Sequence, residues 1–470
     1  MTRIIVAPMR GIEAPHRSSR TSRANVLMLA AMSLGYGVVQ LDVTIVNTAL
    51  NSIGGSLGGG VAELQWVVSA YTIPFAALIL TAGALGDRIG AKRVFMAGFA
   101  IFTAASLGCA LAPDALILIV ARAIQGVGAA ILVPNSLALL NHAYPDEKER
   151  GRAVGIWAAG ASLALTAGPL AGGALIAVVG WRSIFLVNLP IGLAGLWLTW
   201  RCATETPRSS KREIDLAGQA AAIGALGCLA GAIIEGGALG WRNPFVVAGF
   251  AVGGILGALF IVQEWRTVHP MLPLTLFRRR MFALTAIVGL VVNVAFYGLI
   301  FLLSLYFQQI NHLSPLATGL AFLPMMGMVL PANLLAPRAA ERFGAPAIIA
   351  LGAGMAGGGC VALIGIAPGE AYWAIGAQLL AIGAGLGLLM PPLTATLLGS
   401  VAKARSGLAA GVLNATRQTG SVIGVASFGA LIGGGADAFI IGAREALIVS
   451  AALLIGAAAA ILLGSVRACR

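Results

Sequence analysis

One apolar block follows another along this chain, each long enough to cross a bilayer, and that succession leaves few folds open. A segment in hydrocarbon finds no water for its backbone N–H and C=O groups, so it must be a helix or a strand of a closed barrel. The blocks show no two-residue alternation, which points to helices. A length of 470 residues would otherwise allow two or three soluble domains, but 59% hydrophobic and only 10% charged residues exclude them. The 63 glycines, costly in soluble helices, suit membrane helices that pack closely. An all-α polytopic membrane protein is expected, with fourteen spans near 25–50, 64–83, 94–112, 115–139, 153–177, 183–201, 215–235, 244–263, 282–307, 316–337, 346–366, 371–397, 407–431 and 445–466. Residues 1–23 are basic, and the block that follows is too long for a signal peptide and lacks a small-residue cleavage site, so it is read as a retained span.

A net charge of +13 suggests a nucleic-acid partner until the charges are placed. Of the 30 Lys and Arg, 25 lie on alternate loops and the termini, three (Arg182, Arg242, Arg444) on the opposite loops, and two (Arg122, Arg417) inside spans. That asymmetry is the positive-inside pattern, with both termini cytoplasmic, a lipid bilayer as the surroundings and no nucleic acid as partner. Trp66, Trp181, Trp241 and Trp373 fall near expected outer ends, and Trp157, Trp197, Trp200 and Trp265 near inner ends, as an aromatic belt requires. The five cysteines have no metal-ligand or disulfide spacing, and His16, His142, His269 and His312 fall in loops. With no metal cluster and no nucleophile beside a base, neither an enzyme nor a bound metal or cofactor is expected. Gly54, Ser56 and Gly58 match GxSxG, and Gly352, Gly354 and Gly357 match GxGxxG, but both lack the strand-turn-helix setting those motifs need.

An internal repeat divides the chain. Gly86-Asp87-Arg88-Ile89-Gly90-Ala91 after span 2 recurs as Ala340-Glu341-Arg342-Phe343-Gly344-Ala345 after span 10, and Val133-Pro134 in span 4 has its counterpart in Met390-Pro391 of span 12. The division is then a tail, 1–23, a six-helix bundle, 24–201, loops with two inserted helices, 202–281, and a second six-helix bundle with a short tail, 282–470. Two such halves describe a transporter built from repeats.

Asp42 is the sole charge between Ala24 and Ala62 and the only acid well inside an expected span. A lone ionisable group there costs about 2.5–3.5 kcal/mol on insertion scales and marks a functional site by default. Asp42 and Arg122 both lie about 11 Å below the outer ends of their spans at the helical rise, so they meet if spans 1 and 4 adjoin. An adjacent guanidinium favours the ionised carboxylate and apolar burial the neutral acid, so making and breaking the contact would load and release a proton; a permanent structural pair is the alternative. Arg417, midway along span 13, has no acidic partner in its half, and is hydrated, bonded to carbonyls or turned to an anionic or polar substrate. Asn293 and Tyr297, one turn apart on span 9, join Asn47, Gln125 and Arg417 as candidate cavity residues. In span 5, Gly160, Gly168, Pro169, Gly172 and Gly173 read as close packing, as a kinked or sealed outer half, or as both.

These motifs resemble those of the major facilitator superfamily, in its fourteen-span drug:proton antiporter branch. LDVTIVNTAL from Leu41, QWVVSAY from Gln65, GALGDRIGAKRV from Gly83, ARAIQGVGAA from Ala121, WRSIFLVNLPIG from Trp181 and HPMLPLTLF from His269 carry the likeness, with Gly168-Pro169 and Gly172-Gly173 as the span 5 antiporter motif. The resemblance implies alternating access between two bundles with two helices inserted, proton-driven export of a hydrophobic or amphipathic small molecule, protons as coupling partner, a monomer, and a bacterial plasma membrane. It also implies a cytoplasmic latch at Gly83, Gly86, Asp87, Arg88, Gly90, Lys92 and Arg93, with Asp87 facing the start of span 13 near Ser406 and Gly407. Span 10 has no acid between Leu316 and Ala336, which argues against dicationic substrates. A dedicated metabolite exporter, a proton symporter and a scaffold without transport are the alternatives.

Overall fold

The computed structural model describes residues 19–208, 215–267, 270–367, 372–401 and 406–466. Among them fourteen long helices run antiparallel, one after the next, with no strand. The first six are α1 Ser19–Leu57, α2 Val61–Ile89, α3 Ala91–Leu111, α4 Ala115–Ala143, α5 Glu147–Val179 and α6 Ser183–Cys202. Two follow, α7 Leu216–Leu239 and α8 Pro244–Arg266. The last six are α9 Arg280–Ile310, α10 Pro315–Phe343, α11 Ala345–Gly365, α12 Tyr372–Gly399, α13 Ser406–Leu431 and α14 Ala436–Val466. Thirteen of these are long and apolar enough to cross a membrane; α13, which carries Arg417, is the remaining one.

Local chemistry sets the ends. Asp114 Oδ1 accepts from Ile117 N at 2.8 Å, Asp146 Oδ1 from Glu149 N at 2.9 Å, and Asp215 Oδ1 from Gly218 N at 2.8 Å, so α4, α5 and α7 begin on side-chain caps. α1 runs further than its sequence suggests, through Gly54 and Gly55, because nothing breaks it until Gly58 and Gly59 turn left-handed at φ 74° and 115°.

The halves repeat their packing. α1 lies on α5, α2 on α4 and α3 on α4; in the same way α9 lies on α13, α10 on α12 and α11 on α12. The loop after α2 turns at Gly90 (φ 106°) and the loop after α10 at Gly344 (φ 88°), each N–H closing onto the carbonyl four residues back. A Cβ on Gly352, from the GxGxxG match, would stand 2.5 Å from the Gly385 carbonyl and 2.9 Å from Leu389 N on α12, so a side chain there would collide. α7 occupies the seam between the halves, touching α2 and α13, while α8 packs on α7 and is otherwise bare. Gln219 Nε2 of α7 donates to Ala77 O of α2 at 3.0 Å, and Trp66 Nε1 of α2 to Glu235 Oε1 of α7 at 2.9 Å.

The end of the bundle holding Arg88, Lys92, Lys148, Arg266 and Arg342 is called the basic end here. Trp197, Trp200, Trp241, Trp265 and Trp373 are exposed on the bundle surface, as belt residues should be. Trp157 and Trp181 are not: both are buried, and Trp157 turns inward to stack on Tyr36 with ring centroids 4.3 Å apart.

Candidate functional site

Asp42 and Arg122 meet inside the first bundle. Both are fully buried, and Arg122 Nη1 donates to Asp42 Oδ2. Gln125 Nε2 donates to Asp42 Oδ1 at 2.9 Å, and Asn188 Nδ2 of α6 donates to the same oxygen at 3.0 Å. Arg122 Nη1 also reaches Gln125 Oε1 at 2.7 Å, its Nε reaches the Val67 carbonyl of α2 at 3.1 Å, and its guanidinium lies 4.3 Å over the Tyr71 ring. Ser106 of α3 accepts from Gln125 at 2.9 Å. One carboxylate and one guanidinium thus bind α1, α2, α3, α4 and α6 together. Glu264 is the other buried carboxylate among the described residues; it sits at the end of α8, where Oε2 accepts from Leu272 N at 2.8 Å.

Gln125, expected on the substrate cavity, lies instead within this network. Ser106 and Asn188 join the network from outside the residues the sequence marks as candidates. Gln125 sits three residues from Arg122, a spacing that puts both on one helix face and was readable. Asn188 belongs to the WRSIFLVNLPIG stretch, and its polarity inside a span was the only signal.

The rest of LDVTIVNTAL meets other neighbours. Thr44 donates to the Leu165 carbonyl at 3.0 Å. That carbonyl is free because Pro169, four residues on, has no N–H to give it. Gly168 and Gly172 press on Thr44, Ile45 and Thr48 of α1, while Pro169 and Gly173 turn the other way. A Cβ on Gly173 would strike the Pro315 carbonyl and come within 2.9 Å of Leu316 Cα, and one on Gly319 within 3.1 Å of Leu170 Cα. At the end opposite the basic loops, α5 and α10 therefore meet backbone to backbone. Gly160 makes no such contact; its neighbour is Ser33 Cβ at 3.8 Å from where its own would stand. Asn47 lies near this closed end, its carbonyl accepting from Ser304 Oγ of α9 at 2.5 Å.

At the basic end the loop residues bind a segment of their own half. Glu205 Oε1 accepts from Lys92 N and Thr206 Oγ1 from Ala91 N, each at 2.9 Å, which caps α3; Arg93 Nε stands 3.7 Å from Glu205 Oε2. Gly86 gives passage to the Asn135 side chain, Gly83 lies against Pro134, and Arg88 is exposed. Asp87 lines the mouth of a cavity of about 530 Å³ between the halves, together with His142, Trp157, Leu408 and Asn414. The expected contact with Ser406 and Gly407 lies outside the described residues.

Arg417, one turn beyond Asn414 on α13, faces the phenols of Tyr36 on α1 and Tyr297 on α9. Asn293 packs against Gly420 of the same helix, its Nδ2 donating to the Gly289 carbonyl at 2.6 Å.

A profile described as Major Facilitator Superfamily matches residues 32–425. The Methylenomycin A resistance protein of Streptomyces coelicolor is 36% identical over 432 residues, covering 92% of this chain and 90% of its own length. The Multidrug resistance protein Stp of Mycobacterium tuberculosis is 37% identical over 418 residues, 87% of this chain and 76% of its own. Among solved structures, a bacterial homologue of the lysosomal transporter Spinster, in an inward-facing and unoccupied conformation, aligns with a TM-score of 0.65 at 17% identity, covering 94% of this chain and 97% of its own. A POT family transporter aligns with a TM-score of 0.70 at 14% identity, covering 95% and 96%, so both likenesses are of fold. Repeated halves, a loop motif clamped at the basic end and long apolar helices throughout agree with these matches: the chain is an integral multi-pass membrane protein and belongs to the major facilitator superfamily.

Proposed function

We propose that the protein is a drug:proton antiporter of a bacterial plasma membrane, exporting amphipathic small molecules by alternating access as a monomer, with the proton gradient as its energy source and no bound cofactor. Its fourteen helices all span, and both termini are cytoplasmic; the excess of Lys and Arg at the basic end supports that orientation. The relatives named for resistance to methylenomycin A and to multiple drugs support export. With the basic end inward, the closed contact of α5 with α10 and the cavity at Asp87 correspond to an inward-facing state.

The observation that carries the coupling is Asp42: a carboxylate with no exposure, held by three side-chain donors inside the moving bundle. A proton arriving from outside neutralises Asp42 and removes the charge that holds Arg122. The bundle then relaxes about a neutral acid, and the proton leaves once the cavity faces inward. Asp42→Asn keeps the shape and removes the titration. Everted vesicles carrying this variant are expected to lose ethidium transport driven by an imposed pH gradient; full-rate, gradient-dependent transport by Asp42→Asn would sink the assignment.

A further inference from the structure

Next to the central cavity, one turn beyond its lining residue Asn414, stands Arg417, a cation that takes no part in the ion pairs of Asp42 with Arg122 or Arg93 with Glu205. Ala410, Asn414, Arg417 and Ser421 recur at intervals of four, three and four residues, so they form one stripe on α13. Ala410 and Asn414 line the cavity, and Arg417 is the next step of that stripe. The Arg417 side chain is partly exposed, yet the two phenols it faces are buried, Tyr36 at 8% and Tyr297 at 3% exposure. Tyr36 belongs to the first half and Tyr297 to the second, so Arg417 stands between the bundles. Asp87, the acidic group on the cavity wall, stands two turns of α2 beyond Ile79, at the mouth. The hydroxyls of Tyr36 and Tyr297 stand beside Arg417, and that of Ser421, one turn further along α13, is buried without a partner.

A guanidinium in low dielectric is costly until an oxyanion pairs with it, and its planar fork matches a carboxylate with two parallel N–H bonds. A cationic compound would meet repulsion from Arg417. The Trp157 indole, on the wall and stacked on Tyr36, offers an apolar face beside the charge.

We propose that Arg417 is the docking point for the carboxylate of an amphipathic substrate, whose apolar body lies along Trp157 and Tyr36. Weak organic acids are then bound in preference to neutral or cationic compounds of the same length. This rests on the cavity being the export route, and it names the chemistry that route selects.

The test uses the full chain in lipid nanodiscs and three dansyl probes of one length: dansyl-6-aminohexanoic acid, its methyl ester, and dansylcadaverine, which ends in an ammonium group. The acid is expected to bind about tenfold more tightly than the ester or the amine, the ratio one charge-assisted hydrogen bond supplies. Arg417→Gln is expected to weaken the acid by about tenfold and leave the ester within about twofold, and Arg417→Lys to recover part of the loss, keeping the charge but not the fork. Amine binding as tight as acid binding overturns the proposal, as does an Arg417→Gln protein that loses all three probes alike. The wild-type comparison decides alone if the variants do not fold. Ethidium transport in everted vesicles separates the two readings. Gradient-driven ethidium movement with no acid preference sinks the carboxylate site and leaves export standing; an acid preference with no gradient-driven movement of either ethidium or the acid does the reverse.

Discussion

Asp42 accepts from Arg122, Gln125 and Asn188, and each donor belongs to a helix that must hold its place for the carboxylate to stay charged in the interior. Taking away one hydrogen bond to a charged group costs about 1.5–3 kcal/mol. Asn188→Ala is therefore expected to lower the thermal unfolding midpoint in detergent, and a midpoint equal to the parent's counts against a role for that bond. Arg122→Lys keeps the charge but loses the reach to Val67 and the planar face over Tyr71. Gradient-driven efflux by that variant is expected to fall by about tenfold or more at unchanged protein level, measured in the same vesicles. Depth along two helices was enough to pair Asp42 with Arg122 from the sequence. Gln125 was misplaced because a polar residue in mid-span suits a cavity and a network equally; its spacing from Arg122 favoured the network. Ser106 and Asn188 lie on α3 and α6, and only packing brings those helices to α1.

At the scale of elements, the short motifs prove to be joints between helices. Pro169 leaves the Leu165 carbonyl without its helical donor, and Thr44 fills the gap from α1. Thr44→Val keeps the shape and strands that acceptor, so it is expected to destabilise the fold by about 1–3 kcal/mol, read as a lower denaturation midpoint. The sequence resemblance makes the loop motif at the basic end a latch. In the structure its later part, Ala91 and Lys92, is tied down by Glu205 and Thr206, which cap α3. Glu205→Ala is expected to cost about 0.5–2 kcal/mol through the lost cap, most of it recovered by Glu205→Asp if the shorter side chain still reaches Lys92 N. Its ion pair with Arg93 adds little, since Arg93 is largely solvated. The tie was not legible because Glu205 lies more than a hundred residues from Lys92, in a polar linker with no pattern of its own.

The whole molecule is closed where α5 meets α10 and open where Asp87 and His142 line the cavity, a difference between its two ends that the proposed alternating cycle would reverse. Asn414→Cys, on the cavity wall, is expected to react with a membrane-impermeant maleimide in everted vesicles and not in intact cells, against the parent protein's own cysteines as background. Adding Gly173→Ala sets a methyl group into the Pro315 carbonyl, so labelling in cells is expected to rise; unchanged labelling would mean the α5 to α10 contact does not seal the molecule. Hydrophobicity and charge placement, which act along the chain and need no knowledge of neighbours, determined the helices, the repeat and the buried pair at matching depths. Which faces touch was decided by tertiary structure alone. Gly168 and Gly172 face α1 while Gly173 faces α10, Trp157 turns inward rather than to lipid, and Arg417 ends beside two tyrosines from opposite halves. In lipid every helix face is apolar enough to be buried or exposed, so the choice rests on close fit between backbones and on the few polar groups that must find partners, and both depend on residues far apart in sequence.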